Sequence, residues 1–229
     1  MCGRFTFIDV PSLAGRFGIV LLDGGQISPR FNIAPSQEVP AVVEDQDGRA
    51  LRWMQWGFQP AWFKAQPGRP PPINARAETL LERPMFRGAV AGQRCIIPAD
   101  GFFEWQAVAG QRRKQPMYIR LKDGGIFGFA GLYAERPDPQ SGEPVASCVI
   151  VTTSPNELMA TIHHRMPVIL DPADEALWLD SSVRDPAAVI SCLRPYPSEL
   201  MEAFAVSSLV SSARTDQPSL IEPLEGGRR

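Results

Sequence analysis

Four residues could together do covalent and proton-transfer chemistry: Cys2 as nucleophile, Glu104 and His163 as proton-transfer groups, and Asn74 as an orienting amide. Cys2 follows the initiator methionine. Methionine aminopeptidases generally remove Met1 ahead of a small side chain, which makes Cys2 a candidate mature N-terminus. It would then bear a thiol and an α-amine on adjacent carbons. The amine ordinarily titrates at about pH 8 and the thiol at about 8.5, so each is partly nucleophilic at neutral pH. Such a 1,2-aminothiol condenses with an aldehyde to an imine, and the thiol then closes a thiazolidine ring. The competing reading is a frayed terminus with a chance thiol.

The other three positions are equally two-sided. His163 and His164 are the only histidines. An imidazole suits proton transfer at neutral pH, but His163 also sits where a polar group would close a helix and favour its dipole. Glu104 lies within Phe102-Phe103-Glu104-Trp105. Aromatic surroundings can raise a carboxyl pKa and make a general acid, whereas strand alternation would turn Phe103 and Trp105 inward and Glu104 to water. Asn74, in an apolar stretch, can orient a nucleophile or close a turn. Arg76 and Arg165 can hold phosphates or be solvated. Phe58, Trp62 and Phe63 can stack on bases or pack.

These residues must be positioned by short elements. Arg4–Phe7 reads as a strand, which would tie Cys2 down. Asp9 is expected to cap a helix running to Phe17 and stopping at Gly18. Arg30–Pro35 reads as an apolar loop. Val39–Val43 and Ala50–Trp56 flank Asp47-Gly48, a hairpin signal. Ile73–Thr79 leads into a helical pattern to about Phe86. Strands are expected at Arg94–Pro98 and Gly101–Gln106, and again at Pro116–Leu121, Ile126–Tyr133 and Val145–Thr152. Ser154-Pro155-Asn156-Glu157 has capping-box spacing with Pro at the first helical position, and that helix should end before His163. Helices are expected from Asp171 to Leu179 and from Asp185 to Leu193, with a last strand at Ala203–Val206. Strands adjoin strands and helices are short. The expected class is therefore α+β: a single mixed domain over residues 1–225, with a largely antiparallel, barrel-like sheet and short peripheral helices. Residues 226–229 are expected to form a disordered tail.

Composition excludes several classes. At 229 residues a sizeable core is possible. A net charge of −2 gives no global basic field, which argues against a generic nucleic-acid coat but not against one local basic groove. The four cysteines, Cys2, Cys95, Cys148 and Cys192, form no zinc-finger spacing, so no metal and no cofactor are expected. No secretory signal or membrane-length apolar run occurs. The reading is a cytoplasmic, nucleoid-associated protein with reduced thiols.

Six blocks then combine: Met1-Cys2-Gly3-Arg4-Phe5, Asn32-x-Ala34-Pro35, Trp56-Gly57, Ile73-Asn74-Ala75-Arg76-x-Glu78-Thr79, Asp100–Trp105 and Ile162-His163-x-Arg165-Met166-Pro167. Each is weak alone. Together and in this order they resemble the SOS-response-associated peptidase (SRAP) family of abasic-site processing proteins. The resemblance implies a mixed α/β domain that binds single-stranded DNA at an abasic site, including strand–duplex junctions, and acts as a monomer. It implies that Cys2 forms a thiazolidine crosslink with the ring-opened sugar. Asn74 would stand beside the cysteine, Glu104 would transfer protons, and His163 would assist imine chemistry and reversal. Arg76 and Arg165 would contact backbone phosphates, with Arg4 and Asn32 counted in the DNA-binding set. Pro35, Trp62 and Phe63 would insert at the strand–duplex junction; Phe63 departs from the second Trp of close relatives. Two other functions remain open: a cysteine-nucleophile peptidase or amidohydrolase using Cys2, His163 and Asn74, and a non-catalytic single-stranded DNA-binding module.

Overall fold

Runs rich in strand-forming residues, punctuated by turn signals, dominate the sequence, and the chain is accordingly built of strands. The computed structural model describes residues 2–19, 27–64, 68, 70–138 and 140–224. In chain order the elements are β1 (Phe5–Phe7), α1 (Leu13–Phe17), β2 (Arg30–Ile33), β3 (Glu38–Asp45), β4 (Gly48–Trp56), β5 (Asn74–Arg76), α2 (Arg87–Val90), β6 (Arg94–Ala99), β7 (Gly101–Gln106), β8 (Gln115–Leu121), β9 (Phe127–Pro137), β10 (Pro144–Thr153), α3 (Glu157–Ala160), β11 (Met166–Pro167), α4 (Glu175–Leu179), α5 (Pro186–Ile190) and β12 (Met201–Ala205). Strands β10, β4, β3, β6 and β9 pair in turn, and β9 pairs back onto β10. They close a five-stranded barrel. A second sheet runs β12-β8-β7-β1-β2. This is the expected α+β architecture with a barrel and short helices. The expected tail at 226–229 and the boundary at 225 lie outside the described residues.

The β3–β4 hairpin forms as its Asp47-Gly48 signal predicts: Asp45 pairs with Gly48, which takes a φ of +106° that favours glycine. Strand β10 does most of the positioning. Its first half pairs antiparallel with β9. Its second half carries β5 on one side, with Asn74 opposite Ile150 and Arg76 opposite Thr152. The same end carries β11, with Thr152 opposite Pro167. Asn74, Arg76 and the His163–Arg165 turn thus converge on one strand end.

The two strands flanking Asp100 lie in different sheets, β6 in the barrel and β7 in the second sheet. Asp100 stabilises this corner by accepting from the Thr6 hydroxyl and from the amides of Ile8 and Asp9. Thr6 in turn lies 2.9 Å from the Tyr118 hydroxyl. A Cβ on Gly101 would sit 2.1 Å from that same hydroxyl oxygen, so only glycine lets Tyr118 pack across the corner. A methyl here would cost the roughly 1–3 kcal/mol or more typical of overpacking. Aromatic rings then lock the second sheet to the barrel: Phe5 meets Trp56 at 5.2 Å and Phe129 at 5.9 Å, and Phe102 meets Phe129 at 5.9 Å, all edge-on. Each such pair contributes about 0.5–1.5 kcal/mol beyond area burial.

Several local expectations change. Arg30–Ile33 is a strand rather than a loop, because it pairs with β1. The helical pattern after Ile73 gives way to β5, a 3-10 turn at Ala77–Thr79 and further turns, because pairing with β10 claims the backbone first. Asp9 closes a turn by accepting from the Ser12 amide at 3.3 Å, and helix α1 starts only at Leu13. Gly18 ends it in the left-handed conformation, as expected. Helix α3 is capped by Asn156, whose Oδ1 accepts from the Met159 amide at 2.8 Å; Ser154 and Pro155 precede the cap. Asp171 accepts from the Ala173 amide in a turn, so α4 begins later, at Glu175. Asp185 caps α5 with Pro186 behind it, as the sequence implies.

Candidate active site and adjoining groove

The N-terminal residues are tied down. Phe5 pairs with Phe102, and the Phe103 amide donates to the Arg4 carbonyl at 2.9 Å. Continuing that antiparallel register sets Gly3 opposite Glu104 and Cys2 one position further, close enough for the Glu104 carboxylate to act on its thiol. Cys2 is fully buried, so the frayed-terminus reading fails for this residue. From β5, the Asn74 amide donates to the Cys2 carbonyl at 2.8 Å. The other amide atom, Asn74 Oδ1, is buried and accepts no hydrogen bond among the described residues. Glu104 is only 3% exposed, so alternation does not place it in water. The reason is that β7 is covered on both faces: Phe102 joins the main core, and Phe103 joins a second cluster with Tyr118, Phe204, Val210 and Leu220.

Electrostatics link the three ionisable groups. Burial pushes the Cys2 thiol far above its ordinary range, and the nearby Glu104 carboxylate adds to the effect. The sulfur is therefore S–H at neutral pH and must lose its proton as it attacks. Its proton points to the Arg4 carbonyl, 3.8 Å away. His163 is half-buried. Burial lowers its pKa, opposed by the Glu104 carboxylate. Its Nδ1 lies 3.1 Å from the Arg165 amide nitrogen and 3.2 Å from the Arg165 carbonyl oxygen, so the Arg165 backbone fixes the ring and the tautomer sets which contact is made. His164 stacks on it, with ring centroids 4.3 Å apart.

Beside this cluster lies a groove of about 620 Å³ lined by Trp62, Phe63, Lys64, Asn74, Arg76 and Arg83. Trp62 is 60% exposed and so is not packed in the core; Phe58 is core. Pro35 lines a neighbouring cavity of about 460 Å³ with Ser36 and Trp56. The two cavities share Pro70 as a wall. Arg165 is held in a fork by Glu78 at 2.6 and 2.9 Å and donates to the Thr152 carbonyl at 2.6 Å. Arg4 and Asn32 point away from the groove, into the C-terminal segment: Arg4 donates to Asn32 Oδ1 at 2.9 Å and to the Val210 carbonyl at 2.7 Å. The structure thus gathers Cys2, Asn74, Glu104 and His163 in one cluster, and Trp62, Phe63 and Arg76 in the groove that Asn74 joins to it.

The model of the SOS response associated peptidase (SRAP) family matches residues 1–213. The chain belongs to the SRAP family. It is similar to the abasic site processing protein YoqW of Bacillus subtilis, with 45% identity over 97% of this chain and 99% of that protein. It is similar to the abasic site processing protein HMCES of Gallus gallus, with 31% identity over 89% of this chain and 68% of that protein. A crystal structure of a Bacteroides thetaiotaomicron protein superposes with a TM-score of 0.84 at 28% identity, covering 97% of this chain and all of that one. Within this SRAP chain the sequence pattern missed Lys64 and Arg83 as groove residues and Glu78 as the partner of Arg165. Both basic residues fall in the stretch around Arg76, and that proximity was the available signal. Among the described residues, no three metal-ligating side chains cluster, and no helix is long and apolar enough to cross a membrane.

Proposed function

We propose that this chain captures abasic sites in single-stranded DNA by a thiazolidine crosslink through Cys2, once Met1 has been removed. The observation that carries this reading is the position of Cys2: buried, held by Asn74 at its own carbonyl, alongside a buried Glu104 and next to a basic, aromatic groove. Its relatives bear the name of abasic site processing proteins. An abasic deoxyribose is mostly a closed hemiacetal. Glu104 moves the proton that opens it to the aldehyde. The Cys2 amine adds to the aldehyde carbon, and loss of water leaves an imine. The Cys2 S–H then adds across that C=N bond: sulfur bonds to carbon and the proton passes to nitrogen. The product retains no aldehyde. His163, neutral at physiological pH, serves the imine steps and the reversal.

In the groove, Arg76, Lys64 and Arg83 meet phosphates while Trp62 and Phe63 stack on bases, which gives a local positive field despite the net −2. Arg165 meets phosphate only by exchanging Glu78 for it. Arg76→Ala is therefore expected to weaken single-strand binding and reduce the salt slope by about 0.7, the single-strand value per phosphate. Arg165→Ala should change it by less, because Glu78 already neutralises that guanidinium. Filter binding across salt concentrations reads both; equal slopes for Arg76→Ala and wild type would place Arg76 outside the DNA path.

The peptidase reading has one geometric difficulty. In a Cys-His-Asn arrangement the asparagine orients the histidine. Here the Asn74 amide holds the Cys2 carbonyl, while His163 Nδ1 is held by the Arg165 backbone. Intact-mass spectrometry after mixing with abasic single-stranded DNA distinguishes the readings. The expected species is the chain without Met1 plus the strand minus one water. A DNA-binding module would give only free masses, and either that result or turnover of a peptide by the thiol alone would overturn the proposal.

A further inference from the structure

We infer that residues 207–216 form a brace that holds the reactive N-terminus and Glu104 in mutual register, with Arg4 and Asn32 as its fastening points. They act on this reading as positioning residues rather than DNA contacts. The inference rests on the crosslinking function proposed above.

A chain terminus frays unless it is tied, and Cys2 as a mature terminus has chain on one side only, so beyond the Asn74 contact its restraint comes from the residues that follow it. The brace supplies that restraint through Arg4, two residues on. Its side chain donates to the carbonyls of Val210 at 2.7 Å and Ser211 at 3.2 Å. These are the last carbonyls of the 3-10 turn Ser208–Ser211, which have no partner within the turn and which a cation suits. Asn32, 1% exposed, accepts from Arg4 and donates to the carbonyls of Ser212 at 2.9 Å and Thr215 at 2.7 Å. Asp216 closes the far end by accepting from the Phe31 amide at 2.6 Å. Val210 is fully buried in the second core cluster with Phe103. The same segment reaches the other catalytic strand, because the Trp105 indole donates to Ser211 Oγ at 3.3 Å. One segment therefore touches the residue two after Cys2 and the residue after Glu104. Both terminal nitrogens of the Arg4 guanidinium and both ends of the Asn32 amide are thus engaged by protein.

Asp216→Ala and Arg4→Lys test this, since both are milder than removing buried Asn32. Misplacement of reacting groups by about 1 Å costs up to roughly a hundredfold. Single-turnover crosslinking at saturating abasic strand is expected to fall about tenfold or more. Affinity and salt slope for an intact strand should stay at wild-type values. Asp216→Asn, which keeps an acceptor for the Phe31 amide, should restore most of the rate. Unchanged crosslinking in both variants would overturn the inference. So would a lower affinity and salt slope in Arg4→Lys at an unchanged saturated rate, because Arg4 would then be a phosphate contact. Hydrogen exchange gives a readout that does not need the crosslink. The Phe103 amide, which donates to the Arg4 carbonyl, should lose protection in Asp216→Ala. If wild type forms no adduct, the proposed function fails, and retained Phe103 protection would overturn the brace separately.

Discussion

Cys2→Ala and Cys2→Ser are expected to form no heat-stable adduct with abasic single-stranded DNA. This is the largest effect anticipated for any single substitution. Alanine keeps the α-amine, so an imine still forms, but it hydrolyses on heating. Serine offers a hydroxyl in place of the more nucleophilic thiol, so ring closure fails. The structure sharpens the expectation, because the thiol is buried and held protonated, and in the proposed sequence it adds only after the amine has brought the aldehyde carbon to it. A chain forced to keep Met1 should be equally inactive, since its Cys2 nitrogen lies in a peptide bond. Denaturing gels after heating read all three. A heat-stable adduct in Cys2→Ala at wild-type level would sink the mechanism, and normal crosslinking with Met1 retained would remove the α-amine from it.

Glu104→Gln and His163→Ala are expected to fail in different steps. Glutamine keeps the shape of Glu104 and removes its titration. Adduct formation should slow by roughly a hundredfold or more, the usual loss when general acid–base help disappears. The effect is local, because Glu104 acts electrostatically on both Cys2 and His163 from within the same cluster. His163→Ala should still accumulate adduct and should release it more slowly in a chase with excess abasic competitor. The pH dependence has a definite sign. Burial lowers the His163 pKa, so its neutral form persists to more acid pH than in an ordinary histidine. The His163-dependent release rate should therefore hold through about pH 6.5, the ordinary histidine value, and decline only below it. Equal formation rates for wild type and Glu104→Gln would return Glu104 to a structural role. Unchanged release in His163→Ala would leave His163 as the polar end of its turn.

Much of the strand framework was legible because strand propensity and turn chemistry are local. The Asp47-Gly48 hairpin, β1, β6 to β10 and the stop at Gly18 follow from residues within a few positions of each other. Helix starts were less legible. Asp9, Ser154 and Asp171 are good caps in type, but each has a nearby competitor, and tertiary packing decided which turn continued as helix. Arg30–Ile33 was misread because its strand identity depends on a partner more than twenty positions earlier in the chain.

The site divides in the same way. The sequence by itself determined the residue types: a cysteine after Met1, a lone histidine pair, a glutamate among aromatics and a set of motifs in family order. It left each one poised between a chemical and a bland reading, because burial and partners are not local properties. Only the tertiary structure decided those. It buried Glu104 by covering both faces of β7, which no alternation pattern reveals. It brought Asn74 to the Cys2 carbonyl across 72 positions of sequence. It paired Arg165 with Glu78, and it turned Arg4 and Asn32 toward a C-terminal segment some two hundred residues away. Side-chain type is written residue by residue, whereas desolvation and hydrogen-bond partnership arise only when distant strands close into a barrel and its companion sheet.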